Sequence, residues 1–330
     1  MSSSVQCVLC PHACVLEPGQ RGRCGVRLNS GGELVSLVYG RPVAVHVDPV
    51  EKKPLLHFMP GSDVFSLATA GCNLRCDFCQ NWEISQALPE DVPPYDLPPE
   101  KVIEHAEEYG CSSIAYTYTE PVVFYEYTLD CARLAREAGL SNILVTAGYI
   151  NQGPLAELAP YIDAANVDLK SMSDRYYREV CGGTLQPVLN TIMALRDSGT
   201  WVEITNLVVP TLNDDPEDTG ALASWVLENM GRDTPLHYSR FFPMYRLTDL
   251  APTPLDTLQQ ARTEAMEMGL NYVYVGNAVT PGGMTTRCPE CGSVLIEREG
   301  YEVDIRGISH GACDNCSASI AGVWDGTEDR

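Results

Sequence analysis

Fourteen cysteines, eleven of them in three tight groups, mark where this 330-residue chain could do chemistry. The groups are Cys7, Cys10, Cys14 and Cys24, then Cys72, Cys76 and Cys79, then Cys288, Cys291, Cys313 and Cys316. Gaps of two and three residues gather thiolates around one centre, which is what a soft metal requires. The middle group, C-x3-C-x2-C, supplies three ligands where a four-coordinate metal takes four. As a zinc knuckle it lacks a ligand; as a [4Fe–4S] site it leaves one iron open to a substrate or cofactor. The last group is two C-x2-C pairs separated by 21 residues, a closed site of zinc-ribbon or rubredoxin type for zinc or iron. A closed site serves folding or docking. The four thiolates of the first group suit structural zinc or an auxiliary [4Fe–4S] cluster, and spacing does not choose between them. Cys111, Cys131 and Cys181 stand alone and read as small core residues.

The elements that must position these groups follow from hydrophobic periodicity. Strand-like apolar runs occur at 64–68, 113–118, 142–146, 164–169, 201–209, 236–242 and 272–276. Segments of helical spacing lie between them at 99–109, 122–138, 154–158, 187–198, 216–230 and 255–268. Several open on Pro and close near Gly, as in Pro99 to Gly110. This alternation predicts an α/β fold with a mostly parallel sheet. A full or partial (β/α) barrel is expected rather than a doubly wound sheet, because no G-x-G-x-x-G follows an early strand. Three units are expected: a cysteine-rich metal-binding segment at 1–60 with short strands at 33–39 and 41–47, the barrel core at 61–284, and a four-cysteine module at 285–330.

Composition narrows the function classes. A hydrophobic fraction of 45% is that of an ordinary globular chain. A net charge of −22 disfavours nucleic acid as a partner, since phosphate binding needs Lys and Arg. No apolar run reaches membrane-helix length, and MSSSVQCVLC has neither a basic nor an apolar leader region, so the expected address is cytoplasmic, where clustered cysteines mean metal rather than disulfides.

The middle group, read with Phe78 just before its last cysteine, resembles the signature of the radical S-adenosylmethionine (SAM) superfamily. The resemblance implies that Cys72, Cys76 and Cys79 hold a [4Fe–4S] cluster whose open iron is chelated by the amino and carboxylate groups of SAM. One electron would then cleave the sulfonium, giving methionine and a 5′-deoxyadenosyl radical that abstracts hydrogen from a substrate. Positions on later strands resemble the family's SAM contacts. Glu120-Pro121 looks like the end of a G-G-E-P element, with Tyr118 and Thr119 where the glycines stand. Thr146-Ala147-Gly148 resembles a T-N-G turn, and Asp168-Leu169-Lys170 resembles the D-L-K element of glycyl-radical activases. Asn213, in Val208-Val209-Pro210-Thr211-Leu212-Asn213-Asp214, and His237 match further positions of that branch. Read without the resemblance, Glu120 is a helix cap and Asp168–Lys170 a salt-bridged strand end.

The start Cys7-Val8-Leu9-Cys10-Pro11-His12-Ala13-Cys14, the core Ala70–Trp82 and the terminal cysteine pairs together resemble the radical SAM component of the AmmeMemoRadiSam system. That family is similar to pyruvate formate-lyase activating enzymes. The resemblance implies Memo-like and AMMECR-type partners and an electron donor such as ferredoxin or flavodoxin. Hydrogen abstraction from a small molecule or peptide is one expected function, and activation of a glycyl-radical enzyme is another. A non-catalytic iron–sulfur or zinc scaffold is the reading from a different class.

Overall fold

A computed structural model describes residues 4–324; residues 1–3 and 325–330, at the outer ends of the two flanking units, lie outside the described residues. Eight strands form the main sheet: β1 (Ala44–Pro49), β2 (Asp63–Ala68), β3 (Ser113–Tyr116), β4 (Ser141–Thr146), β5 (Ala164–Asp168), β6 (Trp201–Val208), β7 (Leu236–Arg240) and β8 (Val273–Gly276). They lie side by side in chain order, β2 to β8 parallel and β1 antiparallel to β2. The two edge strands β1 and β8 do not pair among the described residues, so the α/β sheet is a partial barrel. Strands β2 and β3 are buried almost along their whole length, as parallel strands covered on both faces must be. Strand β1 reads differently: two of its residues are exposed, which is why it falls in the 1–60 stretch and yet belongs to the sheet.

Helices α1 (Pro99–Glu108), α2 (Tyr125–Glu137), α3 (Gln152–Leu158), α4 (Leu185–Asp197), α5 (Pro216–Asn229) and α6 (Leu255–Glu267) fill the crossovers. Pro99 and Pro216 open their helices, where a missing N–H costs nothing, and the Asp215 carboxylate caps α5 by accepting from Asp218 N at 2.9 Å. Their buried stripes, such as Val102, Ile103 and Ala106 of α1, complete one large core against the sheet. None of the described helices is long and apolar enough to cross a membrane.

Two flanking units complete the molecule. The N-terminal residues form two small hairpins, Val5–Gln6 with Val15–Leu16 and Arg27–Ser30 with Glu33–Ser36. The C-terminal unit has a three-stranded sheet (Thr286–Arg287, Val294–Glu299, Glu302–Ile305) and a short ribbon, Ile308–Ser309 with Ala312–Cys313. It bridges the open side of the barrel. Its Leu295, Ile296 and Ile320 share a core with Tyr272 and Tyr274 on one side and Leu56, downstream of β1, on the other. Backbone bonds from Val323 N to His57 O and from Met59 N to Val323 O, both 2.7 Å, fasten it to the latter.

Candidate active site

The loop after β2 carries Cys72, Cys76 and Cys79 and ends in the short helix Trp82–Ser85. Gly71 opens the loop at φ +90°, and a Cβ there would stand 2.6 Å from the Cys24 carbonyl, so the loop is pressed directly onto the N-terminal unit. Asn73 donates to Tyr149 O at 2.8 Å and its own carbonyl meets the His12 ring nitrogen at 2.8 Å. Arg75 N donates to Cys181 O at 2.8 Å and Asp77 N to Val180 O at 3.0 Å. The loop is therefore held on both flanks.

All three cysteines line one cavity of about 450 Å³ on the inner side of the partial barrel. Burial, with the Glu120 carboxylate behind it, pushes the Cys72 thiol well above its ordinary value, and burial raises Cys79 as well. Cys76 is lowered, first by a hydrogen bond with Cys181 and then, against burial, by the Lys170 ammonium. Three converging buried thiols beside a carboxylate cost free energy as thiolates unless a metal takes them up. Among the described residues, only the C-terminal cysteines form a set of three or more possible ligands whose atoms all lie within 4.8 Å of one another. Three thiols leave a lone tetrahedral zinc one ligand short, whereas a [4Fe–4S] cluster held by three thiolates keeps one iron open, so the central set fits a cluster better than a lone zinc.

Glu120 is buried in the same cavity. It accepts from Thr146 Oγ1 at 2.6 Å and Ala147 N at 2.8 Å, and burial raises its carboxyl while these donors pull it back. Thr146 is thus tied to Glu120 and also lines the cavity. Ahead of Glu120, Tyr118 sits at φ +59°, the backbone conformation a glycine would take. Its hydroxyl donates to Asp48, and the Lys53 ammonium lies 4.6 Å from its ring centre, which holds a bulky residue in a strained place.

Asp168 and Lys170 both reach the cavity and pair at 2.9 Å. Burial pulls the Lys170 ammonium down, but Asp168 and the Cys76 and Cys181 thiols outweigh it, and the net direction is well above the ordinary value. Its nitrogen lies 5.5 Å over the Phe78 ring, so Phe78 packs between the cysteine loop and this cation. His237 forms the cavity floor, its Nε2 bonded to the buried Glu203 carboxylate at 2.7 Å. Glu203 also accepts from Leu56 N, His57 N and Trp201 Nε1 at 2.8–3.0 Å. Against burial, His237 first and then His57 and the Leu56 N–H lower its carboxyl, so it is a satisfied buried anion that aims His237.

Asn213 is placed otherwise. Its side chain does not line the cavity: Oδ1 accepts from Val209 N at 2.6 Å, and Nδ2 donates to Lys170 O at 2.7 Å and Leu207 O at 3.0 Å. It positions the backbone behind Lys170. The structure adds cavity residues that sequence reasoning missed: Tyr118, Thr205, Ser239 and Asn277. Thr205 Oγ1 is buried with no hydrogen-bond partner among the described residues, a polar atom left for an occupant. Its signal was present, since Glu203 and Thr205 are polar at alternate positions of an otherwise apolar strand. Cys111, Cys131 and Cys181 are all core residues, and Cys181 also packs its thiol against Cys76.

The C-terminal four-cysteine group closes as a single-ion site. Cys288 and Cys316 sulfurs are 3.5 Å apart and those of Cys291 and Cys313 3.7 Å apart. Hydrogen bonds from Asn315 and Ser293 push the Cys291 thiol down to about 5, which suits a ligand. The four N-terminal cysteines line a separate small cavity with His12, Arg23, Arg27 and Asn73.

A partial α/β barrel with three cysteines converging at the mouth of its first parallel strand defines a class, and the chain belongs to the radical SAM superfamily. The superfamily's model matches residues 66–223. Over 303 residues, 92% of this chain, it is 47% identical to the uncharacterized protein MJ0808 of Methanocaldococcus jannaschii, covering 90% of that protein. It is 26% identical to the pyruvate formate-lyase-activating enzyme of Clostridium pasteurianum, over 48% of this chain and 67% of that one. Streptococcus suis SuiB bound to S-adenosylmethionine superposes with a TM-score of 0.52 at 14% identity, over 69% of this chain and 53% of SuiB, which shows a shared fold. The chain is therefore a radical SAM enzyme, similar to activating enzymes, that generates a 5′-deoxyadenosyl radical.

Proposed function

We propose that this enzyme takes a hydrogen atom from a small molecule or a peptide held in the barrel cavity, as the radical SAM component of the AmmeMemoRadiSam system, with Memo-like and AMMECR-type partners and a ferredoxin or flavodoxin as electron donor. One observation carries the substrate class: Met284, at the end of the barrel core, and Tyr301, from the C-terminal unit, contribute to the cavity wall, so the barrel's open side is covered. A covered cavity of about 450 Å³ falls in the range of roughly 300–1,000 Å³ usual for small-molecule sites. The cluster and SAM, when bound, supply the radical; the protein residues orient the reactants and exclude water.

Cys72, Cys76 and Cys79 would hold the cluster, and Glu120, fixed by Thr146 and Ala147 N, would receive the amino group of SAM. Lys170 and Asp168 would face the methionine end, with Phe78 packing beneath Lys170. Thr205, Ser239, Asn277 and His237 line the far part of the cavity and would orient substrate. The activase reading keeps support from the similarity to the Clostridium pasteurianum enzyme.

The test uses extracts of cells grown in deuterated water, separated by mass and added to anaerobic, reduced enzyme with unlabelled SAM. Deuterium entering 5′-deoxyadenosine from the low-mass or peptide fraction is the expected result. Deuterium entering only from a purified large protein that gains a glycyl radical would transfer the assignment to the activase.

A further inference from the structure

We infer that the N-terminal cysteines Cys7, Cys10, Cys14 and Cys24 hold a second iron–sulfur cluster of the four-iron class, and not a zinc ion. The inference rests on geometry and is independent of the substrate assignment. All four cysteines line one cavity, at the junction of the N-terminal hairpins and the central loop. The molecule carries its own reference for a single-ion site. At the C-terminus all four sulfurs lie within 4.8 Å of one another, with 3.5 and 3.7 Å separations like those of ligands on one tetrahedral ion. Among the described residues no other cysteine group, the N-terminal four included, is gathered into such a single-ion set. A cluster places several irons and sulfides between its thiolates and so holds them farther apart than one ion does.

The surroundings match an anionic, sulfur-rich occupant. Backbone N–H groups of Val26 and Arg27 point at Cys24, and the His12 N–H and Asn73 side chain point at Cys10. Arg27 lines the cavity and is almost wholly buried; its outer nitrogens pair with Glu126, but its Nε–H is buried with no acceptor in the protein. A buried unpaired donor on a cation beside four thiols is accounted for by sulfide acceptors within the cavity. The site is also covalently close to the central one: Asn73, which lines its wall, directly follows Cys72.

The test counts iron, zinc and acid-labile sulfide in anaerobically purified protein carrying Cys72→Ala, Cys76→Ala and Cys79→Ala together. About four sulfides and four irons should remain per chain, beside the C-terminal ion, and adding Cys10→Ala and Cys24→Ala should remove them. Absence of sulfide with about two zinc ions per chain would overturn the assignment. Should the triple variant prove insoluble, wild-type protein decides the question: about eight sulfides per chain support the second cluster and about four or fewer contradict it. Because sulfide is counted without SAM or substrate, this result stands apart from any failure of the proposed reaction.

Discussion

Arg298→Met removes the cation that locks the C-terminal unit onto the barrel. The Arg298 and Glu51 side chains are both fully buried, with Nε and Oε1 3.7 Å apart, an ion contact and not a hydrogen bond. Arg298 also donates to Leu56 O at 2.7 Å, Met284 O at 3.1 Å and Thr286 Oγ1 at 2.9 Å, while Glu51 accepts from Gly61 N at 2.9 Å. At an effective dielectric constant of about 20, attraction across 3.7 Å is about 4.5 kcal/mol. Breaking a buried pair from one side costs about 3–5 kcal/mol, and neither partner is exposed enough for water to reduce that. The cost has a pH signature. Burial already raises the Glu51 carboxyl, and Arg298 is the chief opposing influence. Without it the carboxyl rises further. A raised carboxyl contributes stability that is full below its unfolded value of about 4.3 and lost as pH rises through the folded value. Arg298→Met should therefore lose about 3–5 kcal/mol at pH 8 and distinctly less at pH 5.5, read from urea unfolding followed by tryptophan fluorescence. The double variant Glu51→Gln with Arg298→Met should recover the part due to the bare charge and lose the pH dependence. A loss below about 1 kcal/mol at pH 8, or an equal loss at both pH values, would refute the reasoning.

Three further outcomes follow from the same geometry. Gly71→Ala should yield folded protein with most of its central iron missing, because the Cβ meets the Cys24 carbonyl at 2.6 Å and φ is +90°; unchanged iron content would contradict this. Lys170→Met should keep its iron but bind SAM about 10- to 100-fold more weakly in equilibrium dialysis, from loss of a buried charged donor of about 1.4–2.8 kcal/mol, whereas unchanged affinity would remove Lys170 from the site. His57 is fully buried, bonded to Ala321 O and Tyr274 Oη, and burial pushes it down to about 4. A depressed histidine contributes stability present above its unfolded value of about 6.5 and lost as pH falls toward 4, so unfolding titrations should show an acid slope in that window that His57→Gln flattens.

The sequence read best where local pattern and global packing coincide. Strands β2 to β8 are buried runs separated by amphipathic helices, and their order followed directly from chain order. The cluster cysteines announced themselves because metal ligation demands short, fixed spacing. Strand β1 did not show as part of the sheet, because an edge strand paired on one side carries exposed positions that dilute the apolar signal. Tyr118 in a left-handed conformation was invisible, since the Asp48 and Lys53 contacts that hold it lie far away in sequence. Cys181 read as an ordinary core residue; it reaches Cys76 from the end of a π-helical turn, Tyr177–Cys181, an irregularity no periodicity reveals. Asn213 matched a ligand-contact motif yet spends its amide on nearby backbone, which a motif alone cannot distinguish. The covering of the barrel by Met284 and Tyr301 depends on tertiary docking, so it too lay beyond the sequence.

The central claim is that Cys72, Cys76 and Cys79 hold a cluster that cleaves SAM reductively. It is tested most directly by giving SAM to anaerobically reconstituted, reduced protein and measuring 5′-deoxyadenosine by mass spectrometry, with Cys76→Ala alongside. The wild type should form product and Cys76→Ala none. Equal product from both, or none from a wild type whose central cluster is loaded and reduced and whose deuterium-labelled extract is supplied, would contradict it.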